Sequence, residues 1–165
     1  MGRRQQGMTM GRWQQGMTMV EVAIVGLVAM MTLFGVLEIA RVFFVFNALD
    51  EATRRGARVA AVCQVNDPAI GEITVFNPSG GGPNSSMLPG LTTGNVVVEY
   101  LDQNGIALAD PIASYGLIRY VRVRIANFAH QLFIPLLVRN FTTPEFATTL
   151  PAESLGVWPG GLSPC

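Results

Sequence analysis

The sequence has little charge and almost no histidine. Only 13% of its 165 residues are charged, and 11 basic residues balance 11 acidic ones. A balanced chain has no global electrostatic field to attract nucleic acid, so we expect no nucleic-acid partner. His130 is the only histidine, which excludes a His-rich metal site, and the glycines at 80–82 lack the Lys-Ser/Thr of a phosphate-binding loop. We therefore expect no enzyme activity, no catalytic residue, no metal and no cofactor, and we interpret His130 as a surface or packing residue.

Charge is absent altogether from residues 22–37, where Thr32 is the only polar side chain. At about 1.5 Å per residue this run forms roughly 24 Å of helix, and a start at Met17 gives roughly 31 Å, enough for a hydrocarbon core of ~30 Å. A core helix of a soluble domain, the alternative, is usually shorter and carries a polar stripe. The run therefore predicts a lipid-bilayer anchor over about residues 20–42.

No acidic residue precedes Glu21, whereas Arg3, Arg4 and Arg12 all do. Basic flanks stay in the cytoplasm, so we expect a single-pass protein of the bacterial inner membrane with its amino end inside and its remainder in the periplasm. A cleaved secretory signal would need a small-residue cleavage site behind a short apolar stretch. Here the apolar run continues into an amphipathic segment, which disfavours that interpretation.

The start of the apolar run resembles that of a type IV prepilin. Gly16 and Met17 are followed by uncharged residues up to Glu21. The resemblance implies cleavage by a prepilin peptidase between Gly16 and Met17, which makes residues 1–16 a leader. Residues 2–10 repeat at 11–19 with one difference, and only the second copy leads into a glutamate, so Gly16 is the candidate glycine.

Glu21 is the one acid near this junction. A carboxylate at a membrane boundary carries a cost that a positive partner can offset. A free amino group at Met17, on the same or a neighbouring subunit, would supply that charge and fix the register between subunits. The alternative is that Glu21 only marks the start of a helix, because acids favour the first turn.

The helical pattern does not stop at the end of the apolar run. Glu38 and Arg41 are spaced to form an i,i+3 pair, and Glu51 and Arg55 an i,i+4 pair. Residues 47–62 are amphipathic, and no proline interrupts the chain before Pro68. We predict one helix over about residues 17–63, and we interpret its charges as a solvated face.

Residues along this helix resemble TadE-like minor pilins of the tight-adherence (Tad) pilus. The matching positions are Phe34-Gly35-x-x-Glu38-x-x-Arg41, Asn47-Ala48-Leu49 and Ala52-x-Arg54-x-Gly56-Ala57-Arg58-x-Ala60-Ala61. Residues 121–125, 132–137 and 146–154 resemble that family's late strand, following loop and last strand with its end motif. The resemblance implies an α+β fold in which the long amino-terminal helix packs on a small antiparallel sheet, with residues 64–165 as the exported β-rich domain.

The sequence also predicts parts of this sheet by itself. Asn104-Gly105 between residues 95–101 and 106–108 is a strong hairpin signal. Residues 119–125 alternate between apolar and basic side chains, which is typical of a half-buried strand. Residues 146–150 form a shorter candidate strand, and residues 73–76 fit either a strand or the end of a helical turn.

Cys63 and Cys165 are the only cysteines. In an exported domain an even number of cysteines favours a disulfide, which here would close a loop of about 100 residues. Two unrelated thiols, or a crosslink between chains, are the alternatives. We predict the intrachain bond.

Taken with the resemblance, these features predict a structural subunit used in the assembly or at the tip of a Tad-type pilus, for attachment to surfaces. The implied partners are a prepilin peptidase, the major and minor pilins of the same system, and an inner-membrane assembly platform. The alternatives are a type II secretion pseudopilin and an uncleaved single-pass periplasmic protein that binds a partner.

Overall fold

The computed structural model of the protein describes residues 10–134, 137–162 and 165. One very long helix is followed by a short helix and by strands in three separate small sheets. The elements are α1 (Met10–Val62), α2 (Pro68–Thr74), β1 (Val96–Leu101), β2 (Tyr120–Ile125), β3 (Ala129–Ile134), β4 (Leu137–Thr142), β5 (Phe146–Pro151), β6 (Val157–Trp158) and β7 (Gly161–Leu162). The α+β fold predicted from the sequence is confirmed.

Helix α1 has 53 residues and is about 80 Å long at 1.5 Å per residue. It begins at Met10 and not near Met17, so the predicted start was about two turns too late, and the helix runs through Gly16. The residues before Met17 contain no proline that would stop a helix from extending backwards. The end at Val62 agrees with the predicted end near residue 63.

The last turn of α1 is capped by a distant part of the chain. The backbone N–H groups of Glu153 and Leu155 donate to the carbonyl of Ala61, and the Ser154 hydroxyl and the Gly156 N–H donate to that of Val62. The final carbonyls of a helix have no partner within the helix itself. Residues 153–156 therefore supply partners for the last two carbonyls of α1.

Strand β2 lies at the centre of the main sheet, between β1 and β5, and both pairings are antiparallel. Val123 stands opposite Val98 on one side and Thr148 on the other. Its apolar residues are fully buried against α1, and Arg122 and Arg124 lie on the opposite face, where both contact Glu99. The alternation predicted for this strand is confirmed.

The core lies between this sheet, α2 and the last third of α1. Small side chains dominate the buried face of the helix, because Ala52, Ala57 and Ala60 are completely buried. They allow the helix backbone to approach the sheet closely. Larger side chains fill the remaining space from the sheet and loops, among them Tyr100, Ile70, Leu91, Val121 and Ile125.

Two local predictions require correction. The Asn104-Gly105 turn forms, with Gly105 in the left-handed region at φ +77°, but residues 106–108 return only as a bridge between Leu101 and Ala107. The chain turns away after the Leu108 N–H donates to the Tyr100 carbonyl. Of the two interpretations left open for residues 73–76, the helical turn is confirmed, because these residues form the end of α2 and the turn after it.

The second correction concerns the stretch interpreted as a loop after β2. It contains strands β3 and β4, which pair antiparallel from Ala129 opposite Thr142 to Ile134 opposite Leu137. The Thr143 N–H donates to the Phe128 carbonyl at the base of this hairpin. We call residues 129–142 the β3–β4 hairpin.

Candidate membrane and assembly surface

Helix α1 has two parts with different surroundings. We call residues 18–44 the apolar segment and residues 45–62 the packed segment. In the apolar segment, nearly all of the large hydrophobic side chains are exposed, and they lie on every side of the helix. The packed segment instead buries one face against the sheet. In the described part of the chain, α1 is the one helix long and apolar enough to cross a membrane.

The residues of the predicted cleavage site lie near the start of α1. Gly16 and Met17 are helical, and Glu21 is exposed one turn further along. The ion pairs found among the described residues do not include Glu21. Cleavage after Gly16 and a subunit-bridging role for Glu21 remain predictions.

Glu38 and Arg41 form the predicted i,i+3 ion pair near the outer end of the apolar segment. The guanidinium of Arg41 donates to both carboxylate oxygens of Glu38, at 2.9 and 3.2 Å. Glu38 is only 7% exposed because the β3–β4 hairpin packs on this side of the helix. The motif residue Gly35 lies one turn earlier, and a β-carbon added there would meet no described atom within 4 Å.

His130 of β3 lies beside this ion pair. Its side chain is 8% exposed and packs edge-on against Phe141, so its interpretation as a packing residue fits. Burial lowers the pKa of His130, the charge of Arg41 lowers it further, and Glu38 opposes both effects. Its buried Nε2 atom has no hydrogen-bond partner among the described residues.

The second half of the helix motif divides into exposed charges and one buried glycine. Arg54 pairs with Asp50 at 2.9 Å on the surface, and Arg58 is exposed. Such exposed pairs contribute little to stability. Arg55 lies 5.3 Å above the ring centre of Phe76 and not in the predicted pair with Glu51.

Gly56 is the close-approach point of the packed segment. A β-carbon there would overlap the Thr74 hydroxyl of α2 and would lie 3.0 Å from a methyl group of Val123 in β2. Glycine is therefore required where α1 crosses both elements. In this chain Gly56 serves the internal packing of the subunit, whereas Gly35, on the same helix, touches nothing described.

Cys63 and Cys165 are joined by a disulfide, with their Cα atoms 5.6 Å apart. Cys63 follows the last residue of α1 and is buried. The N–H of Cys165 also donates to a carboxylate oxygen of Asp67, which caps the start of α2 through Ala69. This bond ties the end of the long helix to a residue 102 positions later.

Sequence reasoning missed the polar contact between α1 and β5 and the aromatic contacts of the β3–β4 hairpin. Thr53 and Thr148 hydroxyls are 2.9 Å apart, and Thr53 also donates to the Asp50 carbonyl. Phe46 packs against Phe141 and Phe146. The available signal was the apolar run at residues 132–138 around Pro135, since proline between two apolar runs favours a turn.

The fold and this surface define a class: an α+β protein whose long amino-terminal helix combines an exposed apolar part with a part packed on a small antiparallel sheet. Residues 16–58 match the family model described as TadE-like protein. The match confirms the resemblance along the helix, where it covers the apolar segment and most of the packed segment, and the resemblances at residues 121–125, 132–137 and 146–154 lie outside it. It associates the protein with the Tad pilus. No curated protein and no solved structure matches the chain.

Proposed function

We propose that the protein is a minor pilin of a Tad-type pilus, anchored in the inner membrane by α1 and used in pilus assembly or at the pilus tip. The observation that carries this proposal is the exposure of the apolar segment on a helix that is continuous with the core of the folded domain. A rigid helix of this kind can first lie in the bilayer and then among the helices of other pilins. Both surroundings are apolar, so one surface fits both.

The processing site sharpens this proposal. Cleavage after Gly16 would place a new ammonium group at Met17, one helical turn from Glu21. An unpaired charge in a low-dielectric filament interior is costly, and a pair formed between neighbouring subunits removes that cost. The partners are then the prepilin peptidase, the other pilins and the inner-membrane assembly platform.

Processing is tested by the intact mass of the membrane-extracted protein, made with and without an active prepilin peptidase. The expected product begins at Met17. Gly16→Leu should remain uncut, because a bulky side chain obstructs a protease pocket fitted to glycine. A mature protein that still begins at Met1 beside the active peptidase would defeat this part of the proposal.

The role of Glu21 is tested by Glu21→Ala and Glu21→Asp. Glu21→Ala should insert and be cleaved at least as well as the parent, yet enter pili poorly, with Glu21→Asp intermediate because it is shorter by one methylene. Glu51→Ala, which removes an exposed acid from the packed segment of the same helix, is the matched control. Parental incorporation of cleaved Glu21→Ala would favour the helix-start interpretation.

Topology and system are tested separately. A reporter that works only in the periplasm should be active when fused after Cys165, whereas activity of a cytoplasm-only reporter there would contradict the orientation inferred from the basic flank. Co-purification with pilus components, and not with a secretion apparatus, distinguishes a minor pilin from a type II secretion pseudopilin.

A further inference from the structure

We propose that the end of the folded domain farthest from the apolar segment is a docking surface for a partner protein. Its occupant is an extended segment of that partner, rich in apolar and basic side chains. The surface is a cleft beside an exposed tryptophan, Trp158, and we call it the distal cleft. The inference goes beyond the proposed function, which assigns no contact to this end, and it uses the proposed anchoring only to orient the cleft.

The distal cleft lies where α1 ends. One of its walls includes residues 153–156, which contact the carbonyls of Ala61 and Val62 at the end of the helix. Val62 is about 27 Å beyond Phe44, where the apolar segment ends, at 1.5 Å per residue. With α1 in the bilayer, lipid does not reach a surface at that height. The cleft is therefore available to a protein partner in the periplasm.

Exposed apolar side chains are concentrated in the segments that form this end. Among the side chains that the structure describes outside α1, the large exposed hydrophobic ones lie at 106–120 and 157–162, and Met87 is the exception. They include Leu117 and Trp158. Clusters of this kind mark interaction surfaces, whereas apolar residues that are exposed singly need no explanation.

The distal cleft has a volume of about 520 Å³ and two walls. One wall is formed from the segment 115–119, and the other from the segment 152–157. The Tyr115 hydroxyl donates to the Leu155 carbonyl at 2.9 Å and so joins the two walls. The volume is within the range of ligand clefts in proteins, so the cleft has room for side chains of a partner.

Trp158 is held in position by its own hairpin although it is exposed. It belongs to β6, and its neighbour Val157 lines the distal cleft. A β-carbon on Gly160 would overlap the Trp158 ring, so the ring lies against this glycine while 57% of the residue stays exposed. An aromatic side chain that is already ordered loses little entropy when a partner binds. Tryptophan is also enriched among the residues that dominate binding energy.

The charges at this end of the domain are mostly negative. Its loops carry three acids and one base, which are Asp102, Asp110, Glu153 and Arg119. The ion pairs found among the described residues include none of these four. The surface is therefore acidic, and it favours a partner with basic side chains.

The two charged residues that line the distal cleft differ in their surroundings. Arg119 donates to the carbonyls of Gly116 and Ile118, at 3.1 and 2.9 Å, which holds its guanidinium against its own wall. Glu153 on the other wall is exposed, and its carboxylate has no partner among the described residues. This carboxylate is free to bind a guanidinium or ammonium group, and the face of the Trp158 ring also attracts such cations.

A second copy of the chain fits this surface less well. A contact between the same surface on two copies is two-fold symmetric, so two distal ends that meet would place acids against acids. It would also point the two apolar segments in opposite directions, which a single bilayer does not allow. A partner with apolar side chains for Trp158 and basic ones for Glu153 meets both requirements of the surface.

The test measures binding of the full chain, held in discs of phosphatidylcholine, to immobilised pools of short synthetic peptides. This lipid has no net charge, so it does not itself attract basic peptides. The first pool contains leucine, valine, arginine and lysine in random order. The second replaces the basic residues by aspartate and glutamate, and the third replaces the apolar residues by serine. Empty discs give the blank.

Two variants remove the features that define the distal cleft, and each has a matched control. Glu153→Gln removes the free carboxylate, and Glu51→Gln removes an exposed acid from the packed segment. Trp158→Ala removes the exposed ring, and Met87→Ala removes an exposed apolar side chain from another loop. If Trp158→Ala lowers the urea midpoint, Leu117→Ser takes its place, since Leu117 is exposed beside the wall at 115–119.

The apolar and basic pool should bind the discs at least about tenfold more than either other pool, and less as the salt concentration rises. Trp158→Ala should lower this binding about tenfold, and Glu153→Gln about threefold, because an aromatic anchor contributes more than a charge at the rim. Both control variants should bind within about twofold of the parent.

Each contrary outcome identifies what fails. Equal binding to the basic and acidic pools, or to the apolar and serine pools, overturns the proposal, as does parental binding by Glu153→Gln and Trp158→Ala. Binding to immobilised copies of the chain itself, and not to the peptides, assigns this end to a second copy and also overturns it. A chain that does not enter the discs contradicts the proposed anchoring, and the same peptides then test the cleft with the chain in detergent.

Discussion

The glycines in the two parts of α1 have different surroundings. In the packed segment Gly56 is buried where a β-carbon would overlap Thr74, so the subunit itself requires it. In the apolar segment Gly35 has no described neighbour that a β-carbon would touch. The same helix therefore carries a glycine that internal packing requires, Gly56, and a motif glycine that internal packing does not require, Gly35. The family match spans both glycines without distinguishing them.

The largest effect on the packed segment should come from removing the disulfide at its end. Cys63→Ser with Cys165→Ser opens a link across 102 positions, and loss of a native disulfide typically costs about 2–5 kcal/mol of stability. Urea unfolding in detergent should show a lower midpoint. Insertion of the apolar segment into membranes should not change, because none of its contacts involve the disulfide. An unchanged midpoint would show that the disulfide does not contribute to the stability of the packed segment.

Gly56→Ala should have the next largest effect. The new β-carbon overlaps the Thr74 hydroxyl and crowds Val123, and overpacking of this kind costs about 1–3 kcal/mol. Gly35→Ala is the matched control on the same helix, and it should leave unfolding unchanged or raise stability by about 0.5–1 kcal/mol, since alanine is the better helix former. Equal changes in unfolding free energy for the two substitutions would contradict the inference that only Gly56 lies in a tight packing contact.

Gly35→Ala also sharpens the comparison in a second assay. Small residues let transmembrane helices approach one another closely. If Gly35 is a contact between subunits, Gly35→Ala should lower incorporation into pili while the isolated subunit keeps its stability. Normal incorporation would instead mean that Gly35 has no packing role in either setting.

A smaller effect is expected where α1 meets β5. Thr53 already donates to the Asp50 carbonyl, so the Thr148 hydroxyl must be the donor in the contact between the two threonines. Thr148→Val removes that hydrogen bond without leaving an unpaired buried donor, at a cost of about 0.5–1.5 kcal/mol in unfolding free energy. Thr149→Val, on the exposed face of the same strand, should cost less; the reverse order would contradict this contact.

The smallest effect concerns pH, at the junction of the two segments. Burial lowers the pKa of His130 below its unfolded value of 6.5, so the folded protein favours the neutral ring. This contribution to stability is complete above that value and decreases as the pH falls through 6.5 towards the lower folded pKa. Among the described side chains, the charged groups that act on the ring are Arg41 and Glu38.

The check compares the unfolding midpoints of the parent and His130→Gln at about pH 7.5 and about pH 5.5. Every other ionisable residue is common to both proteins, so the difference between them reports on the histidine. The parent should lose more stability on acidification than the variant. An identical loss would mean that His130 is not held in its neutral form.

Periodic patterns made most of the fold predictable, whereas contacts between distant residues could not be predicted. The long apolar and amphipathic run predicted α1, and the alternation of valine and arginine predicted β2, because each pattern lies within one element. The close approach at Gly56 depends on Thr74 and Val123, which only the fold brings there. The β3–β4 hairpin was not predicted because its strands show no regular alternation of apolar and polar residues. Its base also depends on a backbone hydrogen bond between Phe128 and Thr143.

The cap on the last turn of α1 has a consequence for the order of events during export. The Val62 carbonyl accepts from Ser154, 92 positions later, and Cys63 needs Cys165. Under the proposed topology, the packed segment therefore cannot complete its contacts until the chain as far as Cys165 has crossed the membrane. Contacts between such distant residues also form slowly. Until then the alanine face of α1, which the folded domain buries completely, is still uncovered, so under that topology an incomplete subunit differs from a finished one in the apolar surface that it presents.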